Sequence, residues 1–276
     1  MRLSELIRLA LEEDVGPGDL TTEFCVGLHA TGEASVTAKE PLVVCGHPEA
    51  EEVFRQVGVH YIEMCREGQE VRPGEVVARV RGPTRGLRTG ERVALNLLMR
   101  LCGVATQTRQ VISALGPDRS LHVVDTRKTT PLLRASERRA VRVGGAANHR
   151  FALYDGVLIK DNHIVAAGGV RLAVLAARSK AHHLLRVEVE VGSAEQAREA
   201  VEAGADVVML DNMDDDAMAA VIEELRADGA RVLFEASGNV TAERLPRLQA
   251  IGVDIVSIGG LIHQARWADL SMKLTG

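Results

Sequence analysis

The chain has 276 residues, of which 46% are hydrophobic, so it can bury a large core and does not have the composition of a disordered protein. The net charge of −5 and the 3% of aromatic residues argue against a general basic surface and against base-stacking platforms, so we expect no nucleic-acid partner. No apolar run approaches the length of a membrane span, so we expect no membrane partner.

The first third of the chain predicts an α+β domain. Its N-terminal pattern is amphipathic and is not that of a signal peptide, which predicts a cytoplasmic protein. Helical periodicity covers about residues 3–13, 47–57 and 88–114, and strand-like runs punctuated by Gly and Pro cover 33–39, 41–46 and 75–81. The scattered cysteines, with no CxxC pair, are expected to be reduced and mostly buried: Cys25, Cys45, Cys65 and Cys102.

The pattern changes near residue 105, where apolar runs begin to alternate with helix patterns. The runs cover residues 121–125, 156–160, 186–191, 206–210, 231–235 and 253–258, and the helix patterns cover about 168–180, 193–203, 214–228 and 241–250. Such alternation predicts a parallel sheet, and six strands indicate a (β/α) barrel short of the usual eight. We therefore expect a first domain over residues 1–105 and a barrel over 106–276, and leave open whether the last residues pack back on the first domain.

Polar residues or glycine-rich turns lie at the end of each apolar run, where barrels of this kind carry their chemistry. They are Asp125 with Arg127 and Lys128, Lys160 to His163, Glu190, Asp211 with Asn212, Glu235 to Asn239, and Gly259 with Gly260. Alternation places Glu188 and Glu190 on one face of their strand, and a sheet face that buries two glutamates indicates cations nearby.

A local positive cluster accompanies these strand ends in a chain that is otherwise acidic. It comprises Arg127, Lys128, His149, Arg150 and Lys160, and it includes two of the only five lysines. Such a cluster suits a small polyanion. Solvated surface residues are the alternative, but Lys160 directly follows the apolar run 157–159, which indicates the end of a buried strand.

The last two strand ends have glycine-rich turns, Ser237-Gly238-Asn239 and Gly259-Gly260, with His263 beyond. Backbone N–H groups in such turns bind phosphate, and the final two strands of a barrel are a frequent place for it. We therefore expect a phosphate site there.

Taken together, these residues resemble the quinolinate phosphoribosyltransferase family over nearly the whole chain. The segments that carry the resemblance, in the family's order, are 13–22, 91–96, 103–106, 126–131, 148–150, 158–163, 188–190, 210–212, 235–238 and 257–259. The chain departs from the family pattern at Ala146, where a third glycine is usual, and at Arg138-Arg139, where Lys-Tyr is usual. These departures leave the positions of the positive cluster intact.

The resemblance implies an N-terminal α/β sandwich domain followed by an incomplete α/β barrel, as in type II phosphoribosyltransferases. It implies a pentosyltransferase of NAD biosynthesis that converts quinolinate and phosphoribosyl pyrophosphate to nicotinate mononucleotide, pyrophosphate and CO₂. It also implies a homodimer, or a higher assembly, in which Arg92 of one subunit completes the neighbouring site.

The resemblance also implies a role for each matching residue. Substrate binding falls to Arg92, Arg127, His149, Arg150 and Lys160, and catalysis to Lys128, Glu190 and Asp211. Magnesium, brought with phosphoribosyl pyrophosphate, would be held by Glu190 and Asp211. Phosphate binding falls to Ser237, Gly238, Asn239, Gly259, Gly260 and His263.

Three other functions compete with this interpretation. A related phosphoribosyltransferase with another anionic ring acceptor is the nearest, including the phosphoribosyltransferase-like protein encoded with molybdate transporters, but that protein is less similar at 126–131 and 160–163. A non-catalytic sensor of phosphorylated metabolites would gain little from Glu190 and Asp211 in a cationic pocket. A nicotinamide-dependent dehydrogenase is disfavoured because no GxGxxG follows a strand.

Overall fold

The structure is a computed structural model that describes residues 2–117 and 120–275. The described residues form two compact units, the first drawn from Met1–Arg109, Thr129–Gly145 and Leu261–Gly276, and the second from Gln110–Lys128 and Ala146–Gly260. Both units are discontinuous in sequence, whereas the division expected at residue 105 is continuous. No helix among the described residues is long and apolar enough to cross a membrane.

The described residues from 2 to 113 form four helices and five strands. The helices are α1 (Leu3–Val15), α2 (Leu20–Cys25), α3 (His47–Gln56) and α4 (Thr84–Ser113), and the strands are β1 (Thr31–Ala38), β2 (Leu42–Val43), β3 (His60–Glu63), β4 (Glu70–Val71) and β5 (Val76–Pro83). With the last strand, β12 (Leu270–Thr275), they build an antiparallel sheet in the order β12–β1–β5–β3, while β2 pairs with β4.

Alternating side chains place one face of β1 on a core. Ala34, Val36 and Ala38 are buried, and the residues between them are more exposed, as expected for a strand with one face on a core. Phe54 and Leu98 lie in the same buried cluster. A helix face and a sheet face therefore share one core.

Between residue 120 and β12, the described residues form six parallel strands with helices between them. The strands are β6 (His122–Val124), β7 (Val157–Ile159), β8 (Val187–Val191), β9 (Val207–Asp211), β10 (Leu233–Ser237) and β11 (Ile255–Ser257). The helices are α5 (Arg134–Gly144), α6 (Asp161–Ala167), α7 (Val170–Arg178), α8 (Ala194–Glu202), α9 (Asp215–Ala227), α10 (Leu245–Ala250), which a 3-10 turn over Ala242–Arg244 precedes, and α11 (Gly260–His263).

The expected fold class, a sheet domain followed by an incomplete barrel, is confirmed. The parallel strands run in the order β6–β11–β10–β9–β8–β7, and β6 and β7 do not pair with each other in the described part of the chain. The start of α8 is capped by side chains. The Ser193 side chain accepts the Gln196 N–H, while the Gln196 side chain accepts the N–H of Gly192, one residue before the cap.

The unusual pair Arg138-Arg139 lies on α5 in the first unit. Arg138 is buried, and Arg139 bridges Glu49 and Glu67 as an ion-paired cation. Glu49 is 3% exposed, and loss of the cation that pairs with a buried carboxylate is costly, so Arg139 has a structural function in this chain.

Candidate functional site

Three glutamates lie on one face of the parallel sheet. In β8, Val187, Val189 and Val191 are buried on the opposite face, so Glu188 and Glu190 share this one. Register pairs Glu190 with Met209 and Met209 with Glu235, and paired residues of neighbouring strands point the same way. Glu235 on β10 is therefore on the same face as the two glutamates of β8.

Lys160 and Glu190 meet at the carboxyl ends of β7 and β8. The Lys160 Nζ lies 2.6 Å from the Glu190 Oε2, with the lysine half-exposed and the glutamate more buried. The main-chain N–H of Lys160 donates to the ring of His163 at 2.9 Å, which fixes the start of α6. The structure thus places one predicted anion-binding cation directly against one predicted catalytic acid.

His149 sits between the other two glutamates. Its Nε2 lies 3.1 Å from the Glu188 Oε2 and 3.5 Å from the Glu235 Oε2. Its Nδ1 accepts the main-chain N–H of Arg150 at 2.8 Å. The ring is therefore held at both nitrogens.

The contacts within this cluster raise the pKa of His149, and burial raises that of Glu188. Burial lowers the pKa of His149, but the hydrogen bonds with Glu188 and Glu235 outweigh burial and raise the pKa to about 10. Nδ1 accepts a hydrogen bond only when it carries no proton, so the Arg150 N–H opposes an imidazolium. Burial and the charge of Glu235 also raise the pKa of Glu188. The geometry therefore leaves Nε2 as the ring nitrogen that donates to Glu188.

Asp125, at the end of β6, holds the chain that carries His149. It is 0% exposed and accepts the His149 N–H at 3.0 Å and the Asn148 side-chain amide at 2.6 Å. A bridge between Val124 and Ala147 places the segment beside β6. The Asn-His-Arg motif is thus attached to the sheet through a buried acid.

Arg127 and Arg150 are close enough for their charges to interact. Burial lowers the pKa of Arg150, and the positive charge of Arg127 lowers it further. Like charges held near each other mark a place that favours an anion. Lys128 is exposed, and its N–H donates to the Thr126 hydroxyl at 3.1 Å.

The expected phosphate turn follows β10 and touches the end of β9. Asn212 and Asn239 have φ values of 55° and 47°, in the left-handed region. A Cβ on Gly238 would lie 2.2 Å from the Asn212 Oδ1, so only glycine fits there. The Asn212 amide in turn donates to Asp211 at 2.8 Å. Gly259 precedes α11, and Gly260 begins it.

Two predicted site residues belong to the first unit. Arg92 lies on α4 and His263 ends α11, and both are exposed. The remaining predicted residues belong to the second unit, from Arg127 to Gly260.

The donor set at β8 and β9 is compatible with magnesium. Glu190 and Asp211 offer hard oxygen ligands on neighbouring strands, and Mg²⁺ is usually held by one or two carboxylates together with substrate phosphates and water. Within residues 2–117 and 120–275, three acidic, His or Cys ligand groups come together only at His149, Glu188 and Glu235.

Sequence reasoning did not predict that Glu188 and Glu235 would hold His149. Glu188 was singled out only as half of a buried pair, and Glu235 only as a strand end. Two acids at inward positions of alternate strands, with one histidine on a nearby loop, were the available signal.

The parallel sheet with cations and carboxylates at its carboxyl edge defines an α/β enzyme for anionic substrates. Comparison with known proteins gives a specific family. The model described as quinolinate phosphoribosyl transferase, N-terminal domain, matches residues 19–102, and that of the C-terminal domain matches residues 104–273. The chain belongs to the quinolinate phosphoribosyl transferase family.

Named relatives match over more than nine-tenths of their length. The probable nicotinate-nucleotide pyrophosphorylase (carboxylating) of Bacillus subtilis is 42% identical, over 100% of this chain and 94% of the relative. The human nicotinate-nucleotide pyrophosphorylase (carboxylating) is 41% identical, over 99% and 91%. The crystal structure of NadC from Streptococcus pyogenes superposes with a TM-score of 0.92 at 40% identity, covering 99% of this chain and 96% of that one.

Proposed function

We propose that the protein is a carboxylating nicotinate-nucleotide pyrophosphorylase of NAD biosynthesis. It joins the pyridine nitrogen of quinolinate to the ribose C1 of phosphoribosyl pyrophosphate and releases pyrophosphate and CO₂. The observation that carries this proposal is the meeting of cations and acids at one sheet edge, which the Lys160–Glu190 contact at 2.6 Å shows most directly. Family membership and relatives of that name support it.

Quinolinate is a dianion, and the cationic residues match it. Arg127, Arg150 and Lys160 bind its two carboxylates, with Arg92 of the partner subunit completing the pocket in a homodimer. Arginine suits the task because its planar fork meets a carboxylate with two parallel hydrogen bonds. Lys128 contacts the pyrophosphate side.

The Lys160–Glu190 ion pair links the two halves of the site. A quinolinate carboxylate that reaches Lys160 competes with Glu190 for the ammonium group. Substrate binding therefore frees the Glu190 carboxylate to face the ribose. An acid released in this way is available where positive charge develops.

The chemistry follows from charge placement. The pyridine nitrogen lone pair attacks C1 as the bond from C1 to pyrophosphate breaks, and positive charge grows on the ribose ring. The carboxylates of Glu190 and Asp211 stabilise that charge from fixed positions. Glu190 and Asp211 would hold Mg²⁺, which neutralises the pyrophosphate when it is bound.

Decarboxylation needs no further cofactor. Once the nitrogen is quaternised, the ring accepts the electron pair of the bond to the 2-carboxylate, CO₂ leaves, and a proton takes its place at C2. The glycine-rich turns at 237–239 and 259–260, with His263, bind phosphate groups of the second substrate.

The proposal is tested by supplying phosphoribosyl pyrophosphate and Mg²⁺ with quinolinate, nicotinate or nicotinamide in parallel. We expect nicotinate mononucleotide from quinolinate alone, because three or more cations exceed what one carboxylate requires. Equal turnover of nicotinate would contradict a dicarboxylate site.

A further inference from the structure

Two buried carboxylates lie beside the site and have no part in the chemistry above. Glu188 and Glu235 are 7% and 1% exposed, and the Oε1 of each has no hydrogen-bond partner. A buried carboxylate is costly unless it is paired. Their presence in the barrel interior therefore calls for a specific partner.

His149 is the partner of both carboxylates, and its ring also contacts the main chain of Arg150. The Nε2 of the ring faces the Oε2 of Glu188 at 3.1 Å and the Oε2 of Glu235 at 3.5 Å. On the other side of the ring, Nδ1 accepts the main-chain N–H of Arg150 at 2.8 Å. A continuous line of contacts runs from two strands, through the imidazole, to the backbone of an anion-binding arginine.

Arg150 is fixed at its other end as well. Its Nη1 donates to the Gly156 carbonyl oxygen at 3.0 Å. A Cβ on Gly156 would lie 3.2 Å from the Arg150 Cβ, so glycine there leaves room for the arginine stem. The direction of the Arg150 guanidinium group thus depends on the position of the Arg150 main chain.

We propose that Glu188, Glu235 and His149 are positioning residues for Arg150. The carboxylate pair fixes the imidazole, and the imidazole fixes the Arg150 N–H. His149 then serves the anion site through Arg150 and does not offer a ring nitrogen to the substrate. That Arg150 binds a quinolinate carboxylate rests on the proposed function, whereas the line of contacts does not.

The first test needs no activity. Hydrogen exchange of the Arg150 amide is measured in the intact protein and in Glu188→Gln and Glu235→Gln, which keep side-chain shape. Glu223→Gln makes the same chemical change on the exposed face of α9 and is the matched control. We expect slow exchange in the parent protein and the control, and faster exchange in both buried variants. Unchanged exchange in both would overturn the proposal.

The second test separates positioning from direct contact. In His149→Asn, the short amide reaches the place of Nδ1 and can still accept the Arg150 N–H. In His149→Gln, the longer amide reaches the carboxylates instead. We expect the quinolinate KM to rise roughly tenfold more in the second variant than in the first, because only the first keeps an acceptor for the Arg150 N–H. Equal losses, or the reverse order, would overturn the proposal.

Two further outcomes distinguish the possible failures. Slow Arg150 exchange in a protein that does not turn over quinolinate would sink the proposed function and leave the positioning role standing. A stoichiometric metal ion that purified protein holds and Glu235→Gln loses would overturn the positioning role, because Nε2 would then face a metal.

Discussion

Glu190 contacts Lys160 in the structure, and the proposed reaction gives it a second partner, the ribose. Its carboxylate contacts the Lys160 ammonium group at 2.6 Å. The proposed reaction then requires the same carboxylate next to the ribose. We therefore expect the Glu190 carboxylate to stabilise the transition state more than it contributes to the binding of quinolinate.

Charge removal at Glu190 and Asp211 tests this role. We expect Glu190→Gln and Asp211→Asn to lower kcat roughly a hundredfold, about 3 kcal/mol, the usual scale for one preorganised electrostatic contact. Quinolinate affinity should be unchanged or tighter in Glu190→Gln, because Lys160 loses its competitor. Steady-state kinetics with binding titrations measure both quantities, and Glu223→Gln is the surface control. Unchanged kcat in both variants would remove the two acids from the catalytic set.

A second prediction at the scale of residues concerns the reactivity of the four cysteine thiols. Cys25 is exposed, and Cys45, Cys65 and Cys102 are buried. Burial raises the pKa of Cys102 to about 12 and raises the pKa of Cys45 and Cys65 as well. The thiolate is the reactive form. A thiol reagent at pH 8 should therefore modify one cysteine in the native protein and four in denaturant, and Cys25→Ser should abolish the native reaction. A second fast thiol would contradict the buried positions.

At the scale of elements, close contact between α4 and the segment before β12 explains the glycine of the motif at residues 103–106. A Cβ on Gly103 would lie 1.9 Å from the carbonyl oxygen of Arg266. Arg100, one turn earlier, donates to the carbonyl oxygens of Ile262 and Ala265 at 2.8 and 3.0 Å. The glycine of the 103–106 motif is therefore a packing requirement of this crossing.

The sign of the stability change in Gly103→Ala shows whether packing or helix propensity dominates at this position. Alanine favours a helix over glycine by about 1 kcal/mol, so propensity alone predicts stabilisation. The contact with Arg266 predicts instead a loss of about 1–3 kcal/mol in the free energy of unfolding, as for other overpacked sites. Urea unfolding measures it, with Gly27→Ala as control because a Cβ there meets nothing within 4 Å. Equal or higher stability of Gly103→Ala would contradict the crossing.

The parallel strands were predictable because each is a short apolar run between polar helices. The run 206–210 became β9 at 207–211, and 231–235 became β10 at 233–237. β12 was missed although Leu270 and Met272 alternate with polar residues, because its partner β1 lies more than 200 residues away in sequence. α5 was missed because its charged residues pair within the fold: Glu137 with Arg100 and Arg139 with Glu49.

The site residues also divide into those that local sequence signals predict and those that they do not. Strand ends and alternation were enough to predict Lys160, Glu190 and Asp211, since those signals are local. The hydrogen bonds of His149 join a loop to two strands, and no spacing in the sequence encodes which acids it meets. Roles that depend on the partner subunit stay predictions.

At the scale of the whole molecule, two of the predicted site residues belong to a different unit from the rest. Arg92 and His263 belong to the first unit, and the other predicted residues belong to the second. The proposal gives Arg92 to the neighbouring subunit of a homodimer. An exposed arginine on a long helix is suited to such a role, because its side chain is available to a partner.

Mixing two inactive variants tests the shared site. Arg92→Ala and Lys160→Ala should each abolish activity without loss of the fold, which circular dichroism checks. Hybrid dimers carry one site with both defects and one with neither, so activity should return on mixing. Subunit exchange is followed by native mass spectrometry. If hybrids form and no activity returns, Arg92 does not serve the partner subunit.

The coupling of transfer to decarboxylation is the most direct test of the central claim. Quinolinate carrying ¹³C in its 2-carboxylate is supplied with phosphoribosyl pyrophosphate and Mg²⁺, and labelled CO₂, pyrophosphate and nicotinate mononucleotide are counted together. We predict one of each per turnover, and no labelled CO₂ when phosphoribosyl pyrophosphate is omitted, because the ring accepts the electron pair only after its nitrogen is quaternised. Retention of the label in a nucleotide product, or release of CO₂ without phosphoribosyl pyrophosphate, would contradict the account.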